Sequence, residues 1–340
     1  VERTGYRERL QRQGRLENGC FRHSRRLRVV LLGHQFQVPS EGQAKAAALA
    51  ASGEVQLHVL VPDRYREAEI RWRTPRLPGA PPEAVSYHVT HVRLPWSGPA
   101  KWYLQSYAGL AALLRRIQPH IVDVWEEPWN LLSAQVCRIR ERFLPATKLI
   151  SETEQNVAKK LPPPFEQFRR YTLRRADFLI GRNAEAVSLA RAKGFWGPAR
   201  VVGNGFDWKM FTPADAADRL RVRRLWGMRG FAVGYAGRLV PSKGLHSLRE
   251  ALRTLVRADP APGEDGPPGL WLAGEGPLGG EFSREGEGVR VVGSLDRSGL
   301  AQFFGALDVL VLPSLTTPAW KEQFGRVIIE AQGCGVPVVG

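Results

Sequence analysis

Cysteine is almost absent from this chain of 340 residues. Cys20, Cys137 and Cys334 are too few and too far apart for a disulfide framework or a Cys-x-x-Cys metal knuckle, so a reducing compartment is expected. Long apolar runs are missing as well. Segments such as 29–33 and 309–313 fall far short of the ~20 residues of a membrane span, and no secretory apolar region follows the basic start. The expected location is cytoplasmic. Lysine is scarce: only nine of the 49 basic residues are Lys, and the arginines spread from Arg3 to Arg326 without forming one stripe. The net charge of +16 therefore has three readings: codon bias in a GC-rich genome, attraction to anionic lipid, or affinity for nucleic acid. No Asp-x-Asp pair occurs, which argues against a carboxylate clamp for a metal. No Gly-x-Gly-x-x-Gly follows the first strand, since Gly33-His-Gln-Phe-Gln37 does not fit it, and NAD chemistry is disfavoured. The seven histidines show no i, i+4 pair and no Cys partner at ligand spacing; they read as surface or satisfied core residues.

What is present is the composition of a globular chain, 43% hydrophobic and 24% charged, long enough for two compact domains. Residues 1–26 lack apolar periodicity, are rich in Arg and read as a disordered leader. From Leu27 short β-branched runs alternate with helical stretches, the pattern of βαβ units and a parallel sheet. The first series predicts strands at 28–32, 55–61, 121–125, 148–151 and 178–180, with helices at 44–51, 103–117, 130–142 and 184–193. The second predicts strands at 231–235, 269–272, 289–292, 309–312 and 336–339, with helices at 245–256, 298–305 and 324–333. The turn Gly203-Asn-Gly-Phe-Asp207 separates the series, giving a domain 27–204 and a domain 205–340. Residues 258–268, rich in Pro, Gly and acid, predict a surface loop. The chain stops just after the last predicted strand with no helix to cover it, so the second domain is expected to be truncated.

Two fragments carry chemistry. Val233-Gly-Tyr-Ala-Gly-Arg-Leu-Val-Pro-Ser-Lys-Gly244 runs from a strand through Gly237 into a loop with Arg238 and Lys243, the end of a parallel strand where ligands bind. Two cations beside glycines suit a diphosphate, although two solvated surface cations would look the same. Glu322-Gln-Phe-Gly-Arg-Val-Ile-Ile-Glu330 places two carboxylates seven residues apart. A helix starting near Phe324 would offer its first amides and Gly325 to an anion. Glu330 then lies in an apolar helical run and needs donors, which sugar or ribose hydroxyls could provide. Either fragment alone is weak, because acids at a helix start are common caps.

Together with Gly203-Asn-Gly-Phe-Asp-Trp-Lys-Met-Phe-Thr-Pro213, Gly274-Glu-Gly-Pro277 and Asp308-Val-Leu-Val-Leu-Pro-Ser314, these fragments resemble in order and spacing the retaining glycosyltransferases of family 4. The resemblance runs from Leu27 to Gly340 and is most specific in the second domain. It implies an α/β chain of the GT-B fold, two Rossmann-like domains facing across a cleft, with a nucleotide-sugar held mainly by the second. It implies that Arg238 and Lys243 bind the diphosphate, Glu330 the ribose hydroxyls and Glu322 the transferred sugar, with Phe324 and Gly325 offering backbone amides. The first domain resembles the family more loosely. Where a Gly-Gly pair is usual after the first strand it has Glu41-Gly42, so close backbone approach is expected only at Gly42. Where the family has a His near the transferred sugar this chain has none, and Gln155 or Asn156 would make that hydrogen bond. Glu126 and Glu127 in Asp123-Val-Trp-Glu-Glu-Pro-Trp129 are acceptor-side candidates, one of which could instead cap the following helix.

The implied function is transfer of a hexose or related sugar from a UDP- or GDP-sugar to a carbohydrate or lipid-linked acceptor hydroxyl, with retention, as in glycan or glycolipid biosynthesis. Cations and a helix N-terminus would neutralise the leaving diphosphate without a metal or other cofactor. Peripheral contact with an anionic membrane at its inner face is a further expectation of the charge; nucleic acid is not expected as a partner. The alternatives are a nucleotide-sugar epimerase on the same fold, an inactive fragment and a basic nucleic-acid-binding protein. Trp96, Trp102, Tyr103 and Trp129 could line an acceptor cleft or pack in cores.

Overall fold

The computed structural model describes residues 26–67, 71–75, 77–79, 81–93, 103–258, 266–284, 286, 288–318 and 320–340. The expected leader, apart from Arg26, lies outside the described residues, as do Trp96, Trp102 and residues 259–265 of the expected loop.

The first sheet is wholly parallel: β1 (Leu27–Leu32), β2 (Val55–Pro62), β3 (Val85–Thr90), β4 (Ile121–Val124), β5 (Lys148–Thr153), β6 (Phe178–Gly181) and β7 (Ala199–Val201), in the order β7-β6-β5-β4-β1-β2-β3. Both faces are covered, which is why its central strands read as unbroken apolar runs. Along β1, Val30 and Leu32 pack against α2 (Leu110–Ile117) and α3 (Leu131–Phe143). Val29 and Leu31 pack on the opposite side with Phe36, Trp125 and Ala46 of α1 (Ala44–Ala51). Helices α4 (Phe165–Leu173) and α5 (Ala184–Ala192) complete this half.

After α6 (Ala216–Leu225) comes a second parallel sheet of β8 (Ala232–Ala236), β9 (Gly269–Ala273), β10 (Val289–Gly293), β11 (Val309–Val311) and β12 (Val338–Val339), ordered β10-β9-β8-β11-β12. Between its strands lie α7 (Leu245–Ala258), α8 (Gly279–Ser283), α9 (Arg297–Ala306) and α10 (Arg326–Gly333). Asp308, at the start of a motif that looked chemical, is structural. Its carboxylate accepts from Arg219 at 2.6 Å, Arg223 at 3.1 Å and the Ala232 amide at 2.6 Å, tying α6 to β8. Both sheets reverse strand order once, between β1 and β4 and between β8 and β11, and ligands bind beyond the carboxyl ends of the strands at such points. Among the described residues no helix is long and apolar enough to cross a membrane.

Two expected helices start two or more residues later than predicted. The one expected at 103–117 begins at Leu110, because Gly109 sits in the left-handed region at φ 69° and residues 106–107 form a short strand with 92–93. The one expected at 324–333 begins at Arg326, behind Gly325 at φ 69° and ψ 61°, a conformation costly for any residue with a Cβ. Phe324 is therefore not helical. Its ring lies against Gly203, where a Cβ would come within 2.6 Å of it.

Candidate active site

The switch point of the second sheet opens into a recess of about 310 Å³. Gly237, Arg238 and Lys243 reach it from the turn after β8, Glu322 and Gly325 from the segment before α10, and Glu330 from α10 itself. Six of the residues singled out in the sequence thus share one cavity. Gly237 holds φ 150°, and a Cβ there would lie 2.7 Å from the Tyr235 hydroxyl. That hydroxyl donates to the Arg238 carbonyl at 2.8 Å, and the Leu239 amide donates to the Glu275 carbonyl at 2.8 Å. A fixed turn therefore presents the exposed Arg238 side chain. Lys243 is more enclosed: its ammonium lies 2.5 Å from Glu322 Oε2 and 4.6 Å from the centre of the Trp320 ring. Ser314 donates to the same oxygen at 2.8 Å. Gly325, Arg326 and Val327 line the recess at the helix start, whereas Phe324 does not, because the helix starts two residues late.

Glu330 is buried, and its Oε1 accepts from Arg297 at 3.2 Å. Burial pushes its carboxyl above the ordinary range, and Arg297 and Arg326 pull it back. Arg297 and Arg326 also line the recess, and sequence reasoning missed both. In a chain so rich in Arg nothing marks Arg297; the one signal for Arg326 is its place one turn before Glu330 in the same helix.

None of the first domain's candidates lines this recess. Gly42 is buried, and a Cβ would come within 2.3 Å of the Phe36 backbone, so its bareness serves the turn after β1. Glu126 is buried. It accepts from the His34 amide at 3.1 Å and from Asn130 at 3.0 Å, and His34 Nδ1 lies 2.6 Å away. Burial alone would lower the His34 pKa; the charge and hydrogen bond of Glu126 outweigh it and raise it. His34, read as a surface or core residue, thus sits at the switch point of the first sheet. Neither Glu126 nor Glu127 caps α3 through its side chain. Gln155 donates to the Val157 carbonyl at 3.2 Å, and Asn156 donates across the cleft to the Glu322 carbonyl at 2.9 Å. Tyr103 and Trp129 pack with ring centroids 4.4 Å apart and planes tilted by 58°, beside Phe165. The aromatic residues at the larger interdomain cavity, about 680 Å³, are instead Trp125, Phe206 and Trp208.

Glu127 accepts from the Thr153 hydroxyl at 2.7 Å and the Glu154 amide at 2.8 Å. Burial, with smaller contributions from Glu154 and Glu126, nevertheless pushes its carboxyl up to about 7. The folded chain then holds this proton more tightly than the unfolded one. Stability is fully present below the ordinary Glu range and is lost as pH rises from there to about 7. Because Glu127 is only partly buried, the expected loss is about 1–2 kcal/mol. Urea unfolding at pH 5 and pH 8 should show that slope in the natural chain and a flatter one in Glu127→Gln. A Glu127 carbon signal titrating in the ordinary Glu range would refute it.

Two Rossmann-like sheets with their switch points apposed, and a cationic recess on the second, define the GT-B class of folds. Residues 230–340 match the family model of glycosyl transferases group 1. That match covers the second domain alone, and the chain has the GT-B fold. It is 35% identical over 152 residues to a D-inositol 3-phosphate glycosyltransferase of Salinispora arenicola, covering 41% of this chain and 33% of that protein. It is 30% identical over 178 residues to a GDP-mannose-dependent monoacylated alpha-(1-6)-phosphatidylinositol monomannoside mannosyltransferase of Corynebacterium glutamicum, covering 50% and 42%. The matches thus span less than half the length of these relatives. Among solved structures, sucrose-phosphate synthase from Thermosynechococcus elongatus superposes with a TM-score of 0.64 at 20% identity, covering 93% of this chain and 82% of that one. Anabaena HepE in complex with UDP and glucose gives 0.61 at 18%, covering 92% and 80%.

Proposed function

We propose that the chain transfers a hexose from a UDP- or GDP-sugar to an acceptor hydroxyl with retention, the donor lying in the recess of the second domain. The observation that carries this reading is the convergence of Arg238, Lys243, Glu322, Glu330 and the start of α10 on one cavity at a switch point. Arg238, Lys243 and the first amides of α10 take the diphosphate and stabilise the charge that develops on it as the anomeric carbon gains oxocarbenium character. Glu330 takes the ribose hydroxyls and Glu322 the transferred sugar. A relative named for GDP-mannose and phosphatidylinositol monomannoside supports a nucleotide-sugar donor and a lipid-linked or carbohydrate acceptor. The Arg-rich surface supports peripheral contact with an anionic membrane from the cytoplasmic side. The domains are taken as 27–204 on the acceptor side and 205–340 on the donor side.

Incubation with labelled UDP- and GDP-sugars, followed by anomeric analysis of the product, separates transfer from epimerisation and hydrolysis. The reading expects α-linked product from an α-linked donor. Activity should survive EDTA, because the diphosphate is neutralised by side chains and a helix start. Loss of activity in EDTA with recovery on adding manganese or magnesium would overturn the metal-independent site.

A further inference from the structure

Residues 321–324 have no regular secondary structure, and among the described residues no backbone–backbone hydrogen bond holds them. Yet they include Glu322. Its carboxylate is fixed within the second domain by Lys243 and Ser314, while its backbone is fixed from the first. Asn156 Nδ2 donates to the Glu322 carbonyl at 2.9 Å, and Asn183 Nδ2 donates to the Gln323 carbonyl at 2.6 Å. Charged pairs flank them on both sides: Lys321 lies 2.5 Å from Glu185, and Arg326 pairs with Glu41.

We propose that Asn156 and Asn183 are positioning residues that clamp the Glu322–Gln323 backbone from across the cleft and hold the Glu322 carboxylate in register with the sugar only while the two domains are together. The role of the sugar rests on the glycosyl-transfer reading above; the clamp itself does not. A side-chain amide is suited to this task because a peptide carbonyl outside a helix or sheet still requires a donor. With the domains apart, both carbonyls lose their donors and the segment is held by little more than the Glu322 side chain. A displacement of about 1 Å at such a group is enough to lower turnover by about 100-fold.

Asn183 provides a clean test, because its side chain has two uses. Its Oδ1 caps α5 by accepting from the Ala186 amide at 2.8 Å, while its Nδ2 reaches Gln323. Asn183→Asp keeps the cap, since Asp caps helices as well as Asn does, and replaces the donor with a carboxylate oxygen that faces the Gln323 carbonyl. The expected result is an unchanged urea midpoint, a kcat lowered about 10- to 100-fold and a donor KM within about twofold of the natural chain. Asn156→Ala should behave alike. Cleavage after Glu322 by a Glu-specific protease, mapped by mass spectrometry, should rise at least about fivefold in both variants, because it follows the population of the loosened segment. An Asn183→Asp chain cleaved after Glu322 at the natural rate overturns the clamp, whether or not sugar is transferred. A natural chain that transfers no sugar overturns the functional reading instead, and the cleavage rate still decides the clamp.

Discussion

Replacing Arg238 with Ala should weaken nucleoside diphosphate binding by about 1.5–3 kcal/mol, the range of a charge-assisted hydrogen bond, or about 10- to 150-fold in Kd. Arg238 is exposed at the mouth of the recess on a turn held by the Tyr235 hydroxyl and by the Leu239 amide, so the substitution removes a charge without disturbing its support. Lys243 differs. Its ammonium is already paired with Glu322, and a diphosphate must share that cation with the carboxylate. Lys243→Ala should weaken binding on a similar scale and also release Glu322, leaving it only the Ser314 hydroxyl, so kcat should fall as well as affinity. The double variant should bind too weakly to saturate. Titration calorimetry with UDP and GDP gives the affinities, and unchanged binding in both single variants would sink the diphosphate assignment.

Arg238 was legible because it stands at the end of an apolar run that is buried on both faces, and such runs show where parallel strands end; Lys243 was legible from the loop that follows. Ala44–Ala51 was read to the residue, and β1, β2, β5, β6, β8 and β9 to within two. Elements without an apolar stripe were not read. Phe165–Leu173 and Ala216–Leu225 are interrupted by Arg and acidic residues, and Val85–Thr90 alternates with polar residues at the edge of its sheet. The two late helix starts share one cause, a glycine in the left-handed region whose place in a turn cannot be told from its neighbours. In the site, the motifs gave the second domain's half. The first domain's half was not legible, because Asn156, Asn183 and Glu41 act through contacts with residues more than 130 positions away. No local pattern encodes such contacts.

The largest effect on stability is expected below the cleft, at a charge network that no motif announced. Lys45 of α1 lies 2.6 Å from Asp123 Oδ2 on β4 and also pairs with Glu152 on β5. Arg182, just after β6, pairs with the other oxygen of Glu152, donates to the Val202 carbonyl at 3.2 Å and lies 4.1 Å over the Trp125 ring. Glu152 is 1% exposed, Asp123 4% and Arg182 5%, while Lys45 reaches them from a partly exposed position, so buried carboxylates and their cations join four elements at the floor of the cleft. Arg182→Ala leaves two buried carboxylates sharing one ammonium, a loss of about 3–5 kcal/mol. Burial and the Asp123 charge already push the Glu152 carboxyl up, against the pull of Lys45 and Arg182. Without Arg182 it rises further, and the folded chain takes up a proton that the unfolded chain releases. Since a raised carboxyl pKa favours the folded state at low pH, the deficit of the variant should be larger at pH 8 than at pH 5. Arg182→Met combined with Glu152→Gln should recover most of it, because no charge is then left unpaired. Urea unfolding of the three chains at both pH values decides the matter. A deficit below about 1 kcal/mol, the scale of a solvated ion pair, would mean that water reaches Glu152 and that the floor of the cleft is held by packing alone.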